Sequence, residues 1–278
     1  MPNIDLHNHS TRSDGLLSPT ALVELAARKG VDALALTDHD TLEGLEEAAA
    51  AAQASGIGFV PGVEISVSWG PTTVHVVGLQ VDASSKWLRA GLEGIRSGRL
   101  ARARLIGDAL ATLGFEGTFD AALAIAKDER IISRTHFARH LAERGVVRDT
   151  QQAFDKYLAK GKPAFVPHRW ASLEEAVTWI RRSGGVAVLA HPGRYDLKPM
   201  MREELLKEFH GFGGEAIEVV TGSHRPEEYA LWQREALAHG FLASRGADYH
   251  GPGESPYEPG ALPQLHASLT PVWSKWHH

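Results

Sequence analysis

The sequence Ile4-Asp5-Leu6-His7-Asn8-His9-Ser10, followed by Ser13-Asp14-Gly15, determines how the whole chain is organised. Side chains two residues apart in a strand point to the same face. If the strand continues through them, His7 and His9 would aim both imidazoles at one point, and Asp14 could return a carboxylate there after a turn. Imidazole is the commonest metal-ligating side chain. The stretch predicts the start of a metal site, although two solvated histidines would show the same spacing.

Composition narrows the possible chemistry. With 278 residues the chain can form one large core, or one core with an inserted subdomain. Its net charge of −5 argues against a surface that coats nucleic acid, but allows a local basic pocket. No cysteine is present, so a metal must be held by histidine and carboxylate, which favours Mn, Fe, Zn or Mg over soft metals.

The sequence also predicts a location. No basic start followed by an apolar core suggests a signal peptide, and no apolar run reaches the roughly 18 residues of a membrane span. We expect a cytoplasmic protein without a membrane or protein partner. His277 and His278 are typical of a tag remnant.

Helical and apolar segments alternate along much of the chain. Three helix starts are marked by Ser18-Pro19, by a capping box of Asp40 and Glu43, and by a capping box of Ser172 and Glu175. The predicted helices are 20–29, 41–55, 172–183, 200–210 and 226–239, and the predicted strands are 31–37, 57–63, 73–81, 186–190, 216–220 and 241–246. This alternation predicts an α/β fold with a largely parallel sheet and about seven βα units.

A helical stretch interrupts the alternation at 84–160. One long amphipathic helix is predicted from about Arg96 to Leu113, ending at Gly114. Shorter helices are expected near 119–127, 135–144 and 150–159. We therefore predict a barrel domain from 1–83 and 161–278, with a helical insertion at 84–160.

Polar side chains concentrate where the predicted strands end, which is where α/β folds place their chemistry. Those at or just beyond strand ends are His7, His9, His39, Glu64, His191, Asp248 and His250, and His75 lies within a strand-like segment. So many ligand types at equivalent places favour a metal site over chance.

The motifs resemble, in order, those of the PHP (polymerase and histidinol phosphatase) family of metallohydrolases. They are Asp5-Leu6-His7-Asn8-His9-Ser10, Ser13-Asp14-Gly15, Thr37-Asp38-His39-Asp40, Pro61-Gly62-Val63-Glu64, His75, Ala190-His191-Pro192 and Asp248-Tyr249-His250. The stretches 132–136 and 161–164 resemble a bacterial branch that removes the 3′-phosphate of 3′,5′-nucleotide bisphosphates. Some members of this branch also trim short RNA from the 5′ end.

The resemblance implies a distorted (β/α)7 barrel that holds three divalent ions, with Mn expected first. The implied ligands are His7, His9, Glu64 and Asp248 for the first ion, Glu64, His75 and His191 for the second, and Asp14, His39 and His250 for the third. Many relatives have histidine at the position of Asp14. A carboxylate there favours a harder ion such as Mn.

Clustered divalent ions suit a phosphate monoester, because they neutralise its oxygens, lower the pKa of a water nucleophile and stabilise the leaving alkoxide. Asp5 and Asp38 precede ligands and could orient imidazoles, or could simply end strands. Asp40 is a candidate for proton transfer to the leaving group, or only the N-cap of the next helix.

A second anion site is expected in the insertion, which reads as a substrate lid. Arginine suits phosphate through bidentate hydrogen bonds. At three-residue spacing Arg96, Arg99 and Arg102 would share one face of the long helix. The candidate substrate contacts are Arg102, Arg134, Thr135, His136 and, beside the metals, Arg194.

Three other functions fit parts of the pattern. A histidinol phosphatase has no need of a basic insertion, and an exonuclease on long strands needs an extended basic groove with stacking aromatics. Short RNA remains a possible substrate. A metal-binding scaffold without activity would not need a plausible ligand at all nine positions.

Overall fold

A computed structural model describes residues 2–276, and its central feature is one seven-stranded sheet. In chain order the strands are β1 (Ile4–Asp5), β2 (Ala33–Leu36), β3 (Gly58–Trp69), β4 (Thr72–Leu79), β5 (Val186–Leu189), β6 (Ala216–Thr221) and β7 (Leu242–Gly246). Leu6 N donates to Arg245 O at 2.9 Å, and Asp248 N donates to His7 O at 2.8 Å. The first and last strands are thereby joined, and the predicted α/β fold with a distorted, nearly closed barrel is confirmed. His277 and His278 lie outside the described residues.

The sheet is not built from seven βα units. β3 pairs antiparallel with β4, and β4 pairs antiparallel with β5, whereas the other neighbouring pairs are parallel. Only Gly70 and Pro71 separate β3 from β4, and Gly70 has a φ of 51°. A two-residue connection can join only antiparallel strands, since a parallel pair needs a long crossover. The prediction of about seven βα units is therefore wrong at this hairpin.

The helices follow the strands closely elsewhere. They are α1 (Pro19–Arg28), α2 (Leu45–Ser55), α3 (Lys86–Arg96), α4 (Arg99–Thr112), α5 (Thr118–Ala126), α6 (Arg134–Glu143), α7 (Thr150–Ala153), α8 (Leu173–Arg182), α9 (Pro199–Gly211) and α10 (Tyr229–His239). A π-helical turn, Phe154–Leu158, continues α7. The chain divides into two compact units: the barrel unit, with the residues up to 92 and from 170 onward, and the helical unit, residues 93–169. The predicted insertion at 84–160 overlaps the helical unit.

Two of the three predicted helix starts are correct. Ser18 Oγ accepts a hydrogen bond from Ala21 N at 3.1 Å. Ser172 and Glu175 form the reciprocal capping box at the start of α8. The third is wrong, because α2 begins at Leu45 after the N-cap Gly44.

Replacing Ser172 with alanine should lower the free energy of unfolding by about 1 kcal/mol, because an N-terminal donor of α8 loses its acceptor. Urea unfolding of the metal-free protein measures the change, and Ser172→Thr is the control that keeps a hydroxyl. Equal stability of the two variants would argue against a working cap.

The helical unit has its own apolar core, in which Leu110, Phe137 and Leu141 are fully buried. The single long helix predicted here is wrong, because the chain breaks at Ser97 and Gly98 between α3 and α4. A Cβ on Gly98 would lie 2.4 Å from His168 Cε1, so a larger residue there would require the His168 ring to move. The predicted common face of Arg96, Arg99 and Arg102 does not exist, since Arg96 ends one helix and Arg99 starts the next.

None of the helices within residues 2–276 combines the length and apolar character needed to cross a membrane.

Candidate metal centre

The nine side chains predicted as metal ligands meet around Glu64 in the barrel unit. They are His7, His9, Asp14, His39, Glu64, His75, His191, Asp248 and His250. Most of them lie in the segment after β1 or just beyond the ends of β2, β5 and β7, whereas Glu64 and His75 lie within β3 and β4 and Asp14 lies in a loop. We call these nine residues the metal centre. Ligand atoms of eight of these residues form three overlapping groups, and the ninth, His191, contacts Glu64 through its Nε2.

The first group has the spacing of a coordination shell. His7 Nε2 lies 3.1 Å from His9 Nε2, and each of these atoms lies 3.3 Å from Glu64 Oε2. Asp248 Oδ1 is 3.2 Å from His9 Nε2 and 3.5 Å from His7 Nε2. Ligands bound tetrahedrally at about 2.0–2.1 Å are separated by about 3.4 Å. Four buried donors at this spacing fit a divalent ion.

Glu64 joins the first group to the second. Its Oε1 lies 2.8 Å from His75 Nδ1 and 2.9 Å from His191 Nε2, while its Oε2 lies 3.0 Å from His39 Nδ1. Oε2 is buried and accepts no hydrogen bond from any residue among 2–276. A buried carboxylate oxygen in this situation fits a cation ligand.

The third group lies at the more accessible side of the metal centre. Asp14 Oδ1 is 3.8 Å from His39 Nε2 and 3.5 Å from His250 Nε2, and His9 belongs to the same group. The side chains of His39, His75 and His250 are 16%, 20% and 19% exposed, whereas His7 and Glu64 are fully buried. A ligand from solvent would therefore reach the metal centre past these three imidazoles.

The electrostatics of the metal centre favour positive charge. Burial alone would raise the pKa of Glu64, but the neighbouring imidazoles, led by His75 and His39, hold it well below its ordinary value. Burial lowers the pKa of His9, yet the neighbouring carboxylates of Asp248 and Glu64 outweigh it and raise the value to about 10. Carboxylates that stabilise a proton on a buried imidazole also stabilise a metal cation in its place.

Two ligands have unusual backbone conformations. His191 has a φ of 27° and Asp248 a φ of 51°, both in the left-handed region that residues with a side chain rarely adopt. Such strain persists only where the surroundings fix it, and it concentrates at functional sites. Here Ser223 Oγ donates to Asp248 Oδ2, and Tyr195 Oη donates to Ala190 O while accepting from His75 N.

The predicted orientation of imidazoles by Asp5 and Asp38 is wrong. Asp5 accepts hydrogen bonds from Asn8 Nδ2, Ala247 N and Gly260 N. Asp38 accepts from Ser10 N, Ser10 Oγ and Ser13 Oγ. Both carboxylates brace backbone segments that carry ligands.

Asp40 is not a helix N-cap either. It is buried, has a φ of 54°, and accepts from Ser66 N at 2.8 Å and Ser66 Oγ at 3.0 Å. The carboxylate thus links the end of β2 to β3 beside Glu64.

Glu218 is the important residue that the sequence prediction missed. It lies in β6, and its carboxylate contacts His7 Nδ1 at 2.8 Å and His191 N at 2.6 Å. A signal was present, because an acidic residue inside the apolar run Ala216 to Val220 must have a buried partner. Arg194, which was predicted, lies beside the metal centre, with Nη1 3.6 Å from Asp248 Oδ2 and a side chain that is 56% exposed.

Three arginines line a concavity in the helical unit together with Ser133 and Phe137. We call Arg99, Arg102 and Arg134 the arginine cluster. Burial, and after it the positive charges of Arg134 and Arg99, lower the pKa of Arg102 to about 9. Such a group favours an anion.

The other two predicted substrate contacts of the helical unit lie at the start of α6. Thr135 and His136 belong to its first turn. His136 Nδ1 accepts from Ser133 N at 3.0 Å as part of the helix cap, so only its Nε2 faces elsewhere.

Outside the metal centre, one further group of side chains could ligate a metal, but ion pairs explain why its acidic residues lie together. Glu203, Glu235 and His239 lie together on α9 and α10. Glu203 pairs with Lys207 at 3.0 Å, and Glu235 pairs with Arg202 at 3.1 Å. These ion pairs account for the acidic side chains.

A barrel that gathers buried histidines and carboxylates at the ends of its strands defines a metal-dependent hydrolase. The sequence profile of the PHP domain matches residues 5–130. A 3′,5′-nucleoside bisphosphate phosphatase of Chromobacterium violaceum is 50% identical over 273 residues, covering 98% of this chain and 96% of that protein. A 5′-3′ exoribonuclease of Haemophilus influenzae is 39% identical over 272 residues, covering 98% of each. This chain belongs to the PHP family.

Solved structures agree with this assignment. An amidohydrolase from Chromobacterium violaceum, solved with bound sulfate and no metal, superposes with a TM-score of 0.95 at 49% identity, covering 98% of this chain and 95% of that one. A metal-dependent phosphoesterase of Bifidobacterium adolescentis gives a TM-score of 0.84 at 29% identity, covering 97% and 92%. The chain is accordingly a metal-dependent phosphoesterase that binds divalent ions.

Proposed function

We propose that the enzyme removes the 3′-phosphate from 3′,5′-nucleotide bisphosphates, for example adenosine 3′,5′-bisphosphate, and releases a 5′-nucleotide and phosphate. The observation that carries the proposal is that the chain has two features suited to a phosphate, the metal centre and the arginine cluster. A substrate with two phosphates carries one group suited to each feature. The 50% identity to a nucleoside bisphosphate phosphatase supports this choice.

The distribution of charge supports an anionic substrate. Residues 93–169 contain 14 lysines and arginines against 9 aspartates and glutamates, whereas the rest of the chain contains 15 against 25. A basic unit in an otherwise acidic protein attracts anions locally. We therefore propose the helical unit as the substrate-binding part of the enzyme, the predicted lid.

The metal centre is proposed to hold three divalent ions, with Mn as the first candidate. Three overlapping ligand groups support this number, and the donors are imidazole and carboxylate without thiolate. Asp14 adds a hard oxygen ligand to the third group, which favours Mn. Metal analysis of the protein after purification tests both the number and the identity.

When bound, the ions would supply charge neutralisation, an activated water and stabilisation of the leaving oxygen. Glu64 would hold neighbouring ligand groups at a fixed spacing, since both of its oxygens contact imidazoles. Arg194 would orient the phosphate to be removed through hydrogen bonds from its exposed guanidinium. Asp40 remains the candidate for proton transfer to the leaving oxygen. In this role its carboxylate would have to give up a hydrogen bond that it accepts from Ser66.

The second phosphate is proposed to bind at the arginine cluster. Arg102 and Arg134 would provide guanidinium donors, with Thr135 Oγ1 and His136 Nε2 as neutral donors at the start of α6. Arg102 Nε donates to Val166 O at 3.1 Å, which fixes its guanidinium in place before the substrate arrives.

Phosphate release from adenosine 3′,5′-bisphosphate should exceed release from 3′-AMP and from 5′-AMP by about a hundredfold or more in kcat/KM, since two charge-assisted hydrogen bonds to the second phosphate are worth about 1.5 kcal/mol each. The assay measures free phosphate with the Mn-loaded protein and identifies the nucleotide product. Comparable turnover of 3′-AMP would remove the case for a second phosphate site.

Activity on short RNA is the second candidate, favoured by the 39% identity to an exoribonuclease. A strand that contacts many basic residues gives a steep dependence of affinity on salt, whereas a single nucleotide gives a shallow one. Measuring KM for a short 5′-phosphorylated RNA and for the bisphosphate over a range of salt distinguishes the two. Cleavage of histidinol phosphate alone would preserve the metal centre and contradict the substrate assignment.

A further inference from the structure

Glu218 is a charged residue in the most deeply buried strand of the sheet. All six residues of β6 are buried, and Glu218 itself is 1% exposed. A carboxylate at such a position is strongly destabilising unless charged or polar partners satisfy it. Both of its oxygens have such partners, and both partners belong to the metal centre.

The first partner is the ring of His7. Glu218 Oε1 lies 2.8 Å from His7 Nδ1. An ionised carboxylate only accepts hydrogen bonds, so the proton of this contact must be on Nδ1. The lone pair of a neutral His7 is then on Nε2, the atom that faces His9, Glu64 and Asp248.

The second partner is the backbone of His191. Glu218 Oε2 accepts a hydrogen bond from His191 N at 2.6 Å. His191 has a φ of 27°, and its Nε2 lies 2.9 Å from Glu64 Oε1. One carboxylate therefore holds a strained backbone in the conformation that directs the His191 ring toward Glu64.

We propose that Glu218 is a positioning residue, which selects the metal-binding tautomer of His7 and fixes the orientation of His191. The proposal rests on the metal-binding part of the proposed function and is independent of the substrate. Partners of this kind usually contribute a factor of about 10–100 to metal affinity.

Glu218→Gln tests the proposal with almost no change in size. A glutamine has one accepting oxygen and one donating nitrogen, but both partners of Glu218 require an acceptor. If the amide nitrogen faces His7, the His7 proton moves to Nε2 and blocks that ligand. If it faces His191, two donors meet and the strained backbone loses its acceptor.

Titration calorimetry of the metal-free protein with Mn²⁺ measures the effect. We expect at least one binding step to weaken by about 10–100-fold, and at least one step, assigned to Asp14, His39 and His250, to keep its affinity. Glu208→Gln is the matched control, because Glu208 accepts from Trp69 Nε1 at 2.8 Å outside the metal centre. Unchanged affinity at every step, or equal weakening of all steps, would overturn the proposal.

If Glu218→Gln does not fold, a measurement on the unsubstituted protein tests which nitrogen of His7 carries the proton. Nitrogen NMR of the histidine rings in the Zn²⁺-loaded chain, assigned with His7→Asn, should show His7 protonated at Nδ1 and not at Nε2. A proton on Nε2 would contradict the proposal. A chain that shows the expected proton but leaves adenosine 3′,5′-bisphosphate intact would keep this inference and overturn the proposed substrate.

Discussion

Glu64→Gln should lower kcat/KM for adenosine 3′,5′-bisphosphate by at least about a thousandfold. Glu64 contacts imidazoles of all three ligand groups, and its Oε2 lies 3.3 Å or less from His7, His9 and His39. Glutamine preserves the volume but removes the negative charge that allows the groups to share a ligand. Stabilisation of transition-state charge by metal ions is worth several kcal/mol, and each 1.4 kcal/mol is a factor of about ten.

Two measurements separate this loss from unfolding. The metal content of Glu64→Gln after dialysis against Mn²⁺ should fall by at least one ion per chain, and its circular dichroism should match that of the parent protein. Glu208→Gln, which makes the same chemical change outside the metal centre, should retain both metal and activity. A Glu64→Gln enzyme within tenfold of the parent would show that Glu64 is not a shared ligand.

The convergence of several candidate ligands could be predicted from their places at strand ends, whereas the complete set of nine was implied only by the family resemblance. His7 and His9 lie beyond the end of β1, so the strand period of two does not place them, although their Nε2 atoms lie 3.1 Å apart. The alternation of strands and helices brings His39, His191 and Asp248 to corresponding strand ends. These arguments need only local sequence and the geometry common to α/β folds.

The errors concern contacts between distant parts of the chain. Asp40 and Glu43 have the spacing of a capping box, but Ser66, 26 residues away, satisfies the Asp40 carboxylate. Gly98 lies between α3 and α4, where the sequence pattern predicts one continuous helix, and the His168 ring packs against it. Local spacing cannot reveal a competing partner that only the folded chain provides.

The antiparallel strand and Glu218 illustrate two further limits. The strands 57–63 and 73–81 are predicted without a helix between them, but the apolar pattern of a buried strand does not show whether its neighbours run parallel or antiparallel. Glu218 lies inside β6, whereas most of the predicted ligands lie at the ends of strands. An acidic residue in a buried apolar strand requires a polar or charged partner, and its presence in the sequence therefore indicates one.

Arg134→Ala should lower kcat/KM for adenosine 3′,5′-bisphosphate by about a hundredfold or more, and should leave an aryl phosphate nearly unaffected. Arg134 Cζ lies 5.5 Å from the Phe154 ring centroid, and Nη1 donates to Leu158 O at 3.3 Å. These contacts hold the guanidinium ready for a bidentate interaction. Two charge-assisted hydrogen bonds at about 1.5 kcal/mol each give a factor of about one hundred.

The comparison between substrates isolates the second phosphate, because p-nitrophenyl phosphate has only the group that the metal centre would act on. Arg148→Ala is the matched control in the helical unit, since Arg148 is 78% exposed and pairs with Asp149. Arg134→Lys should give an intermediate loss, as lysine keeps the charge but cannot form the planar bidentate contact. If Arg134→Ala reduced both substrates equally, Arg134 would support the fold or the chemistry in general, and the arginine cluster would not be the site of the second phosphate.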